Sequence, residues 1–179
     1  MSNLDRKKLQ KFLKLAGDRL KGRWVLMGGT VLPAMDVDYR TTTDIDIVSM
    51  DSAGQSATLK LMELAEELGL PVESINQAGA YFLMKIPDYD KHLIQLYQGK
   101  SATVFRPDLT LYLQLKIARL TETDLSDCME YLKLTVRRNE KFNAKELLRL
   151  LSREVKKAES SPRRLRLEKL SELVRTWLV

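Results

Sequence analysis

The chain of 179 residues contains 30 Lys and Arg, 24 Asp and Glu and one His, which gives a formal net charge of +6 at pH 7. With 44% apolar and 30% charged residues, it has an ordinary globular composition and is long enough to bury a core, as one domain or as a core with an appendage. The single cysteine excludes a disulfide framework, no apolar run approaches the roughly 18 residues of a membrane span, and no signal-peptide core opens the chain, so we expect a cytoplasmic protein without a membrane segment.

The first half of the chain alternates predicted helices and strands. Apolar residues at helical spacing predict a helix over about 3–21, which Gly22 ends. A second helix begins at Asp51 or Ser52 and ends before Gly69. Its apolar stripe is assigned to the core and comprises Leu59, Met62, Leu64, Ala65 and Leu68. Strands are predicted over 24–27, 43–48, 72–75, 81–86 and 93–97. This order favours a mixed sheet packed by helices.

Two glycines and two carboxylates stand beside the first two strands. Gly28 and Gly29 end the 24–27 strand, and without a Cβ the backbone there can turn sharply and approach a ligand. Thr30 is expected to cap a helix over about 31–38, which leaves N–H groups for an anion such as a phosphate. Asp44 and Asp46 share one face of the next strand because side chains alternate. Two such carboxylates repel each other unless a cation lies between them, as in a divalent metal site.

The segment Gly28-Gly29-Thr30, followed by Arg40-x-Thr42-x-Asp44-Ile45-Asp46, resembles the signature of the polymerase-β-type nucleotidyltransferase superfamily, in the form carried by AbiEii-type, MenT-like toxins. The resemblance implies a nucleotidyltransferase-like α/β (α+β) core that uses an NTP with Mg²⁺ or Mn²⁺. It further implies that Asp44 and Asp46 are catalytic metal ligands. The residues it assigns to the nucleotide are Gly28, Gly29, Thr30, Arg40 and Thr42. A helix cap followed by an acidic edge strand is the alternative interpretation.

From residue 108 onward the pattern changes to helices. They are predicted over 108–120, 124–138, 143–158 and 162–178, with Asp108 or Thr110 and Asp124 as caps and Pro162 in a first turn. The sequence therefore predicts a nucleotidyltransferase-like mixed sheet with flanking helices over 1–107 and a helical C-terminal region over 108–179, packed as one compact unit with the core.

This helical region carries a second similarity. Leu115-Lys116-Ile117-Ala118-Arg119-Leu120, followed by Asp124-Leu125-Ser126-Asp127, is similar to the AbiEii-type pattern K-x-x-R-L and then D-x-x-D. Lys116 and Arg119 lie three apart on one helical face, where both could reach triphosphate oxygens. By resemblance, Lys116 is catalytic and either neutralises the charge of the phosphates or donates a proton near them. The resemblance also implies that Arg119 binds the nucleotide and that Asp127, which is catalytic, or Asp124 contacts Lys116 or the acceptor. An exposed, salt-bridged helix with Asp124 as its cap is the alternative.

One position departs from the superfamily pattern. A third carboxylate is usual on a strand near 93–96, where this chain has Gln95. By that alignment the site has lost one metal ligand or uses another acid, with Asp88 and Asp90 in the preceding loop as candidates. His92 is the only histidine in the sequence, and a single histidine is more often a surface or core residue than a metal ligand or a base.

The excess positive charge is concentrated near the C-terminus. Residues 133–179 hold 14 Lys and Arg against 6 Glu, a net charge of +8, whereas the rest of the chain has a net charge of −2. The basic residues that recur at spacings of mostly three or four are Arg137, Arg138, Lys141, Lys145, Arg149, Arg153, Lys156 and Lys157. Such a face favours a polyanion, although Lys and Arg that only solvate exposed helices give the same pattern.

These patterns and the resemblance together indicate transfer of a nucleoside monophosphate from an NTP to a hydroxyl acceptor. RNA, and tRNA in particular, is the expected acceptor, bound by the basic helices. A toxin-like role with a cognate antitoxin is implied by the resemblance alone. The alternatives are a protein or small-molecule acceptor, and a degenerate module that binds without catalysis.

Overall fold

The structure, a computed structural model, describes residues 4–38, 40–51 and 55–177. The chain forms two compact units, of which the first ends at Pro107 and the second begins at Asp108. Within the described ranges, no helix has both the length and the apolar content needed to cross a membrane. Ser52, a predicted helix cap, and position 178, the predicted end of the last helix, lie outside the described residues.

The first unit is built on a five-stranded mixed sheet. Its strands are β1 (Gly22–Met27), β2 (Ile45–Ser49), β3 (Ile75–Asn76), β4 (Leu93–Gln98) and β5 (Ala102–Pro107), in the spatial order β3-β2-β1-β5-β4. β1 is antiparallel to β2 and parallel to β5, β2 is parallel to β3, and β4 is antiparallel to β5. β1 is therefore central, and its four residues from Trp24 to Met27 are all buried, as a short apolar run with a strand on each side predicts.

The helices among the described residues of this unit are α1 (Arg6–Arg19), α2 (Val31–Ala34), α3 (Gln55–Glu67) and α4 (Ala80–Leu83). Asp5 caps α1 by accepting a hydrogen bond from Lys8 N at 2.8 Å, and Leu9, Phe12 and Ala16 are buried on one face of that helix. α1 ends at Arg19, so Gly22 begins β1 instead of ending the helix as predicted.

The predicted core stripe of α3 is wrong in part. Leu59 and Met62 are 60% and 41% exposed, because the buried stripe runs through Leu61, Leu64, Ala65 and Leu68. The predicted capping of this helix by Asp51 depends on residues 52–54, which lie outside the described residues, so it stays a prediction. The Asp51 carboxylate accepts a hydrogen bond from Arg23 N at 2.9 Å and pairs with Arg23 Nη2 at 3.2 Å, which ties the end of β2 to the start of β1.

The segment after α3 also departs from prediction. The strand predicted over 72–75 is mostly a 3₁₀ turn, Val72–Ser74, with β3 only two residues long. The strand predicted over 81–86 is wrong, because that segment holds the single helical turn α4, in which Leu83 alone is buried. β5 follows β4 closely and was not predicted as a strand.

The second unit is a bundle of α5 (Leu109–Ile117), α6 (Glu122–Arg137), α7 (Ala144–Lys157) and α8 (Ser161–Thr176). Asp108 caps α5 through Leu111 N at 2.8 Å, as predicted. Thr121 caps α6, and Asp124 in the first turn accepts a hydrogen bond from Thr121 N at 3.1 Å. Asp124 is therefore the reciprocal partner in a capping box and is not the cap itself.

Arginine side chains of α8 hold the end of α5. Arg163 donates two hydrogen bonds to the Ile117 carbonyl, at 3.2 and 2.9 Å, and also pairs with Glu154 at 2.8 Å. Arg166 donates to the Leu120 carbonyl. Guanidinium groups at these carbonyls satisfy acceptors that no residue of α5 can reach. The five-stranded mixed sheet, its flanking helices and the C-terminal helices confirm the predicted fold class.

Candidate active site

The candidate site of the first unit lies where β1 ends beside β2. Met27, the last residue of β1, pairs with Asp46 in the antiparallel ladder, which brings Gly28 next to that side chain. Gly28 has a φ of +63°, and a Cβ at this position would overlap the Asp46 carboxylate, 3.1 Å from its Cγ. The half-buried Asp46 carboxylate thus occupies space that only glycine leaves open.

Arg40 lies against the second glycine. A Cβ on Gly29 would overlap Arg40 Nη2 and lie 3.2 Å from its Cζ. Arg40 and Asp46 are therefore brought together at the two glycines of one backbone turn. Such a turn can approach a phosphate closely, and a guanidinium beside it can donate two parallel hydrogen bonds to phosphate oxygens.

Thr30 has a structural role that was not predicted. It is completely buried, and its hydroxyl donates to the Met27 carbonyl at 2.8 Å. Thr30 ends the 3₁₀ turn Gly28–Thr30 and makes no side-chain hydrogen bond to α2, which is only four residues long. The prediction that Thr30 caps a helix over 31–38 is wrong, because the hydroxyl closes the turn behind the glycine pair.

Asp44 lies just before β2 and is exposed, whereas Ile45 is buried and Asp46 is half-buried. This alternation is the one predicted from the sequence. Thr42 forms an isolated bridge with Leu4, and its hydroxyl lies 3.5 Å from the Asp44 carbonyl oxygen. Thr42 therefore contacts the backbone ahead of the first acid, while the Asp44 carboxylate faces outward.

The pair Asp44 and Asp46 fits one kind of metal site. The described residues contain no group of three or more His, Cys, Asp or Glu side chains that could hold a metal ion. Mg²⁺, however, is commonly held by one or two carboxylates together with water and substrate phosphates, so two acids beside a phosphate-accessible turn are enough for it. The space left by Gly28 accommodates one of these two carboxylates, that of Asp46.

Gln95 lies far from this pair. Its strand, β4, is at the opposite edge of the sheet from β3, so that β1 and β5 separate it from β2. Three strand spacings of about 4.8 Å put β4 roughly 14 Å from β2, too far for one metal ion to bind residues of both strands. Gln95 is thus not a lost ligand of the Asp46 site. The neighbour of Asp46 on the other side is Asn76 of β3, which pairs with it in register.

The Asn76 position was missed because the two-residue strand β3 gives almost no sequence pattern. The Asn76 side-chain oxygen accepts a hydrogen bond from Ala78 N at 3.0 Å. It therefore shapes the turn that leads from β3 to α4, beside Asp46.

The second unit holds the other predicted site residues in a buried ion-pair network. Lys116 Nζ lies 2.6 Å from Asp127 Oδ2 and 3.1 Å from Asp124 Oδ1. Arg119 donates two hydrogen bonds to Asp124, from Nε at 2.9 Å and from Nη2 at 3.0 Å. Lys116, Asp124 and Asp127 are 11%, 2% and 0% exposed, whereas Arg119 is 75% exposed. The network thus presents one guanidinium at the surface and keeps its other three groups inside.

The pKa values of the two carboxyls of this network are shifted in opposite directions. Burial alone would raise the pKa of Asp124, but hydrogen bonds from Arg119, the charge of Lys116 and hydrogen bonds from Thr121 outweigh it and hold that pKa well below its usual range. Burial raises the pKa of Asp127 to about 7. Burial likewise raises the pKa of the Cys128 thiol to about 12, so this cysteine is not a nucleophile in the folded protein.

A comparison with family models matches residues 5–144 to a family described as "nucleotidyltransferase of unknown function (DUF6036)". The match covers both glycines, both acids and the Lys116 network. Searches of curated proteins and of solved structures give no significant match. Because the matched segment spans most of the chain, the protein belongs to this family of nucleotidyltransferases.

Proposed function

We propose that the protein transfers a nucleoside monophosphate from an NTP to a hydroxyl group of RNA, with tRNA as the first acceptor to test. Membership of a nucleotidyltransferase family supports the class of reaction. The observation that carries the proposal is the lodging of the Asp46 carboxylate against Gly28, with Arg40 against Gly29. This arrangement supports the proposal because a carboxylate, the kind of group that binds Mg²⁺, and a guanidinium lie beside a turn that phosphates can approach.

In the proposed reaction an oxygen of the acceptor hydroxyl forms a bond to the α-phosphorus. The bond from that phosphorus to the α–β bridging oxygen breaks, pyrophosphate leaves, and the proton of the hydroxyl passes to water. The backbone of Gly28 and Gly29 approaches the phosphates, Arg40 offsets their charge, and Asp44 and Asp46 would hold Mg²⁺ or Mn²⁺. When bound, such an ion supplies Lewis-acid stabilisation of the phosphate charge. Positioning and charge neutralisation account for most of the catalysis in phosphoryl chemistry.

The resemblance also gives roles to Lys116, Arg119 and Asp127, and these stay predictions. Within its unit, Lys116 is held by two carboxylates, which fixes its position. Arg119 uses Nε and Nη2 on Asp124, and the rest of its exposed guanidinium can reach a phosphate. The AbiEii-type toxin role and a cognate antitoxin belong to the proposal on the same ground of resemblance.

The test incubates the purified protein with each α-labelled NTP, Mg²⁺ or Mn²⁺, and total RNA. We expect label in RNA, and we expect Asp46→Asn to lower the rate roughly 100- to 1,000-fold, because metal charge stabilisation contributes several kcal/mol. Glu63→Gln is the matched control, since it removes one charge from an exposed position of α3. Label in protein would show that the acceptor is a protein and not RNA. Absence of label with the wild type would show that the protein binds without catalysis.

Growth of a host that expresses the protein tests the toxin role. Arrest by the wild type but not by Asp46→Asn supports it, and equal tolerance of both proteins counts against it. Folding of Asp46→Asn is checked by its unfolding temperature, so that a lost fold is not mistaken for a lost metal ligand.

A further inference from the structure

The helical turn α4 and the residues after it expose a cluster of large side chains, which we call the aromatic turn: Tyr81, Phe82, Met84 and Lys85. Tyr81, Phe82 and Met84 are 64%, 59% and 54% exposed. Exposed apolar groups this close together are unusual on a soluble surface and mark binding sites more often than scattered ones do. No role for these residues follows from the glycine pair or the two acids.

The geometry of the aromatic turn combines ring faces with a positive charge. The Tyr81 and Phe82 rings meet edge to face, with centroids 5.5 Å apart and an interplanar angle of 82°. Lys85 Nζ lies 3.7 Å from the Tyr81 ring centroid and 2.5 Å from its hydroxyl. In the described part of the chain no carboxylate pairs with Lys85, so its charge is available to an anion. Aromatic faces beside an uncompensated cation complement a nucleobase and the phosphate attached to it.

The aromatic turn is anchored next to the Asp46 site. Gly79, the residue before α4, lies so close to Met27 that a Cβ would come within 2.9 Å of its sulfur, and within 3.6 Å of Val48 Cγ2. Met27 pairs with Asp46, and Val48 lies two residues after Asp46 on β2, so all three side chains share one face of the sheet. The turn therefore begins on the sheet face that carries Asp46.

We propose that the aromatic turn stacks an unpaired nucleobase, with Phe82 and Tyr81 as the stacking surface and Lys85 as the contact to the adjoining phosphate. The proposal rests on the proposed nucleotidyl transfer, which supplies two sources of such a base: the NTP and the end of the acceptor RNA. Either base would have to lie near the phosphates at Gly28 and the acid at Asp46.

The experiment measures binding of four probes by wild type and Phe82→Leu. The probes are an NTP, inorganic tripolyphosphate, a short single-stranded RNA, and the same RNA ending in an abasic nucleotide. Leucine keeps an apolar side chain but removes the ring. The Kd of Phe82→Leu for whichever probe supplies the stacked base, the NTP or the intact RNA, should therefore rise about 5- to 50-fold. Phe82→Tyr keeps a ring and should restore binding. Leu165→Ala, a 63% exposed apolar residue of the second unit, is the control for lost surface.

The pattern among the probes identifies the base. Weaker NTP binding with unchanged tripolyphosphate binding assigns the turn to the nucleotide base, and weaker RNA binding with unchanged abasic RNA assigns it to the acceptor. Unchanged Kd values for all four probes overturn the inference, and so does self-association of the wild type that Phe82→Leu abolishes. If the wild type transfers label normally while Phe82→Leu binds as the wild type does, only this inference fails. If the wild type transfers no label, the proposed function fails.

Discussion

Gly28 shows at the scale of one residue how the backbone makes room for a charged group. Its φ of +63° alone would favour glycine, since other residues are strained there. The Asp46 carboxylate adds a second requirement, because it fills the space where a Cβ would stand. Gly69 has nearly the same φ, +62°, but a Cβ there would meet nothing within 4 Å. Comparison of the two positions therefore distinguishes the effect of backbone strain from the effect of contact with Asp46.

We predict that Gly69→Ala costs stability on the order of 1 kcal/mol from the left-handed conformation alone, and that Gly28→Ala costs more because its Cβ also meets the Asp46 carboxylate. Only Gly28→Ala should also push the Asp46 carboxylate aside and weaken Mn²⁺ binding, by roughly 10-fold or more, as misplaced metal ligands do. Unfolding by denaturant gives the first quantity and calorimetric titration with Mn²⁺ the second. Equal Mn²⁺ affinities for the two variants would show that Gly28 does not position Asp46.

Asp124 pairs with two cations, Lys116 and Arg119, and its lowered pKa predicts how stability depends on pH. A carboxyl whose folded pKa lies below its unfolded value contributes stability above the unfolded pKa, near 3.9, and loses it as pH falls. We expect the wild type to lose stability steeply from about pH 5 downward. Asp124→Asn should be less stable at pH 7 by about 3–5 kcal/mol, because Lys116 and Arg119 lose their shared partner, and its stability should depend less on pH.

The control for this measurement is Glu122→Gln in the same first turn of α6. Glu122 is 78% exposed and pairs only at the surface, with Arg166 at 3.0 Å. Its substitution should change stability by less than about 1 kcal/mol and leave the pH dependence intact. Parallel pH curves for the wild type and Asp124→Asn would contradict the role given to Asp124.

At the scale of elements, the sequence predicts segments whose residues contain their own signal. The strand over 24–27 and the four C-terminal helices have strong apolar patterns and caps such as Asp108, and all are present with shifted ends. α5 is predicted to continue to residue 120 but ends at Ile117. Leu120, three residues further on, has a φ of +39°, which is outside the helical range. The carbonyls that α5 leaves are taken by Arg163 and Arg166, more than 40 residues away, which no local pattern reveals.

The aromatic turn shows the opposite failure. Tyr81, Phe82 and Ile86 have strand propensity and turn residues flank the segment, which is why a strand is predicted there. Propensity of this kind reflects packing on a half-buried sheet, yet here only Leu83 is buried and the rings face outward. A local pattern of large apolar residues therefore gives a wrong prediction here, because most of these residues are exposed and do not pack in a sheet.

The candidate site likewise has features that the sequence predicts and features that it does not. The types of residue needed, two acids and a glycine pair, are visible in the sequence at positions 28, 29, 44 and 46. Their mutual contact depends on the register that pairs Met27 with Asp46, and on the path that brings Arg40 to Gly29. Neither is determined by local pattern, and the distance of Gln95 from the acids follows only from the strand order.

Across the whole molecule, charge is distributed unevenly, and α7 shows it most clearly. Leu147 and Leu151 are buried, whereas Lys145, Arg149, Arg153 and Lys156, which we call the basic stripe, are exposed. At about 100° per residue these four lie within roughly 80° of one another, on the side of α7 opposite its buried leucines. They form one cationic face on a helix that its leucines fix in place.

Binding of RNA to the basic stripe should depend strongly on salt. If the stripe holds the acceptor, each phosphate it neutralises releases counterions, and affinity must fall steeply with salt. Replacing Arg149, Arg153 and Lys156 with Gln should weaken binding at low salt and flatten the slope of log K against log salt by about 2, since each contact contributes roughly 0.7 on a single strand. NTP affinity should stay unchanged.

A variant with Lys7, Lys11 and Lys14 replaced by Gln provides the matched control. These lysines are exposed on α1 at comparable helical spacing, so the variant loses the same net charge from a different surface. Filter binding of tRNA across a range of salt concentrations then separates a local docking face from general attraction between a basic protein and a polyanion. Equal loss of affinity in both triple variants would show that only net charge matters, because a docking face requires that the α7 variant alone lose both affinity and slope.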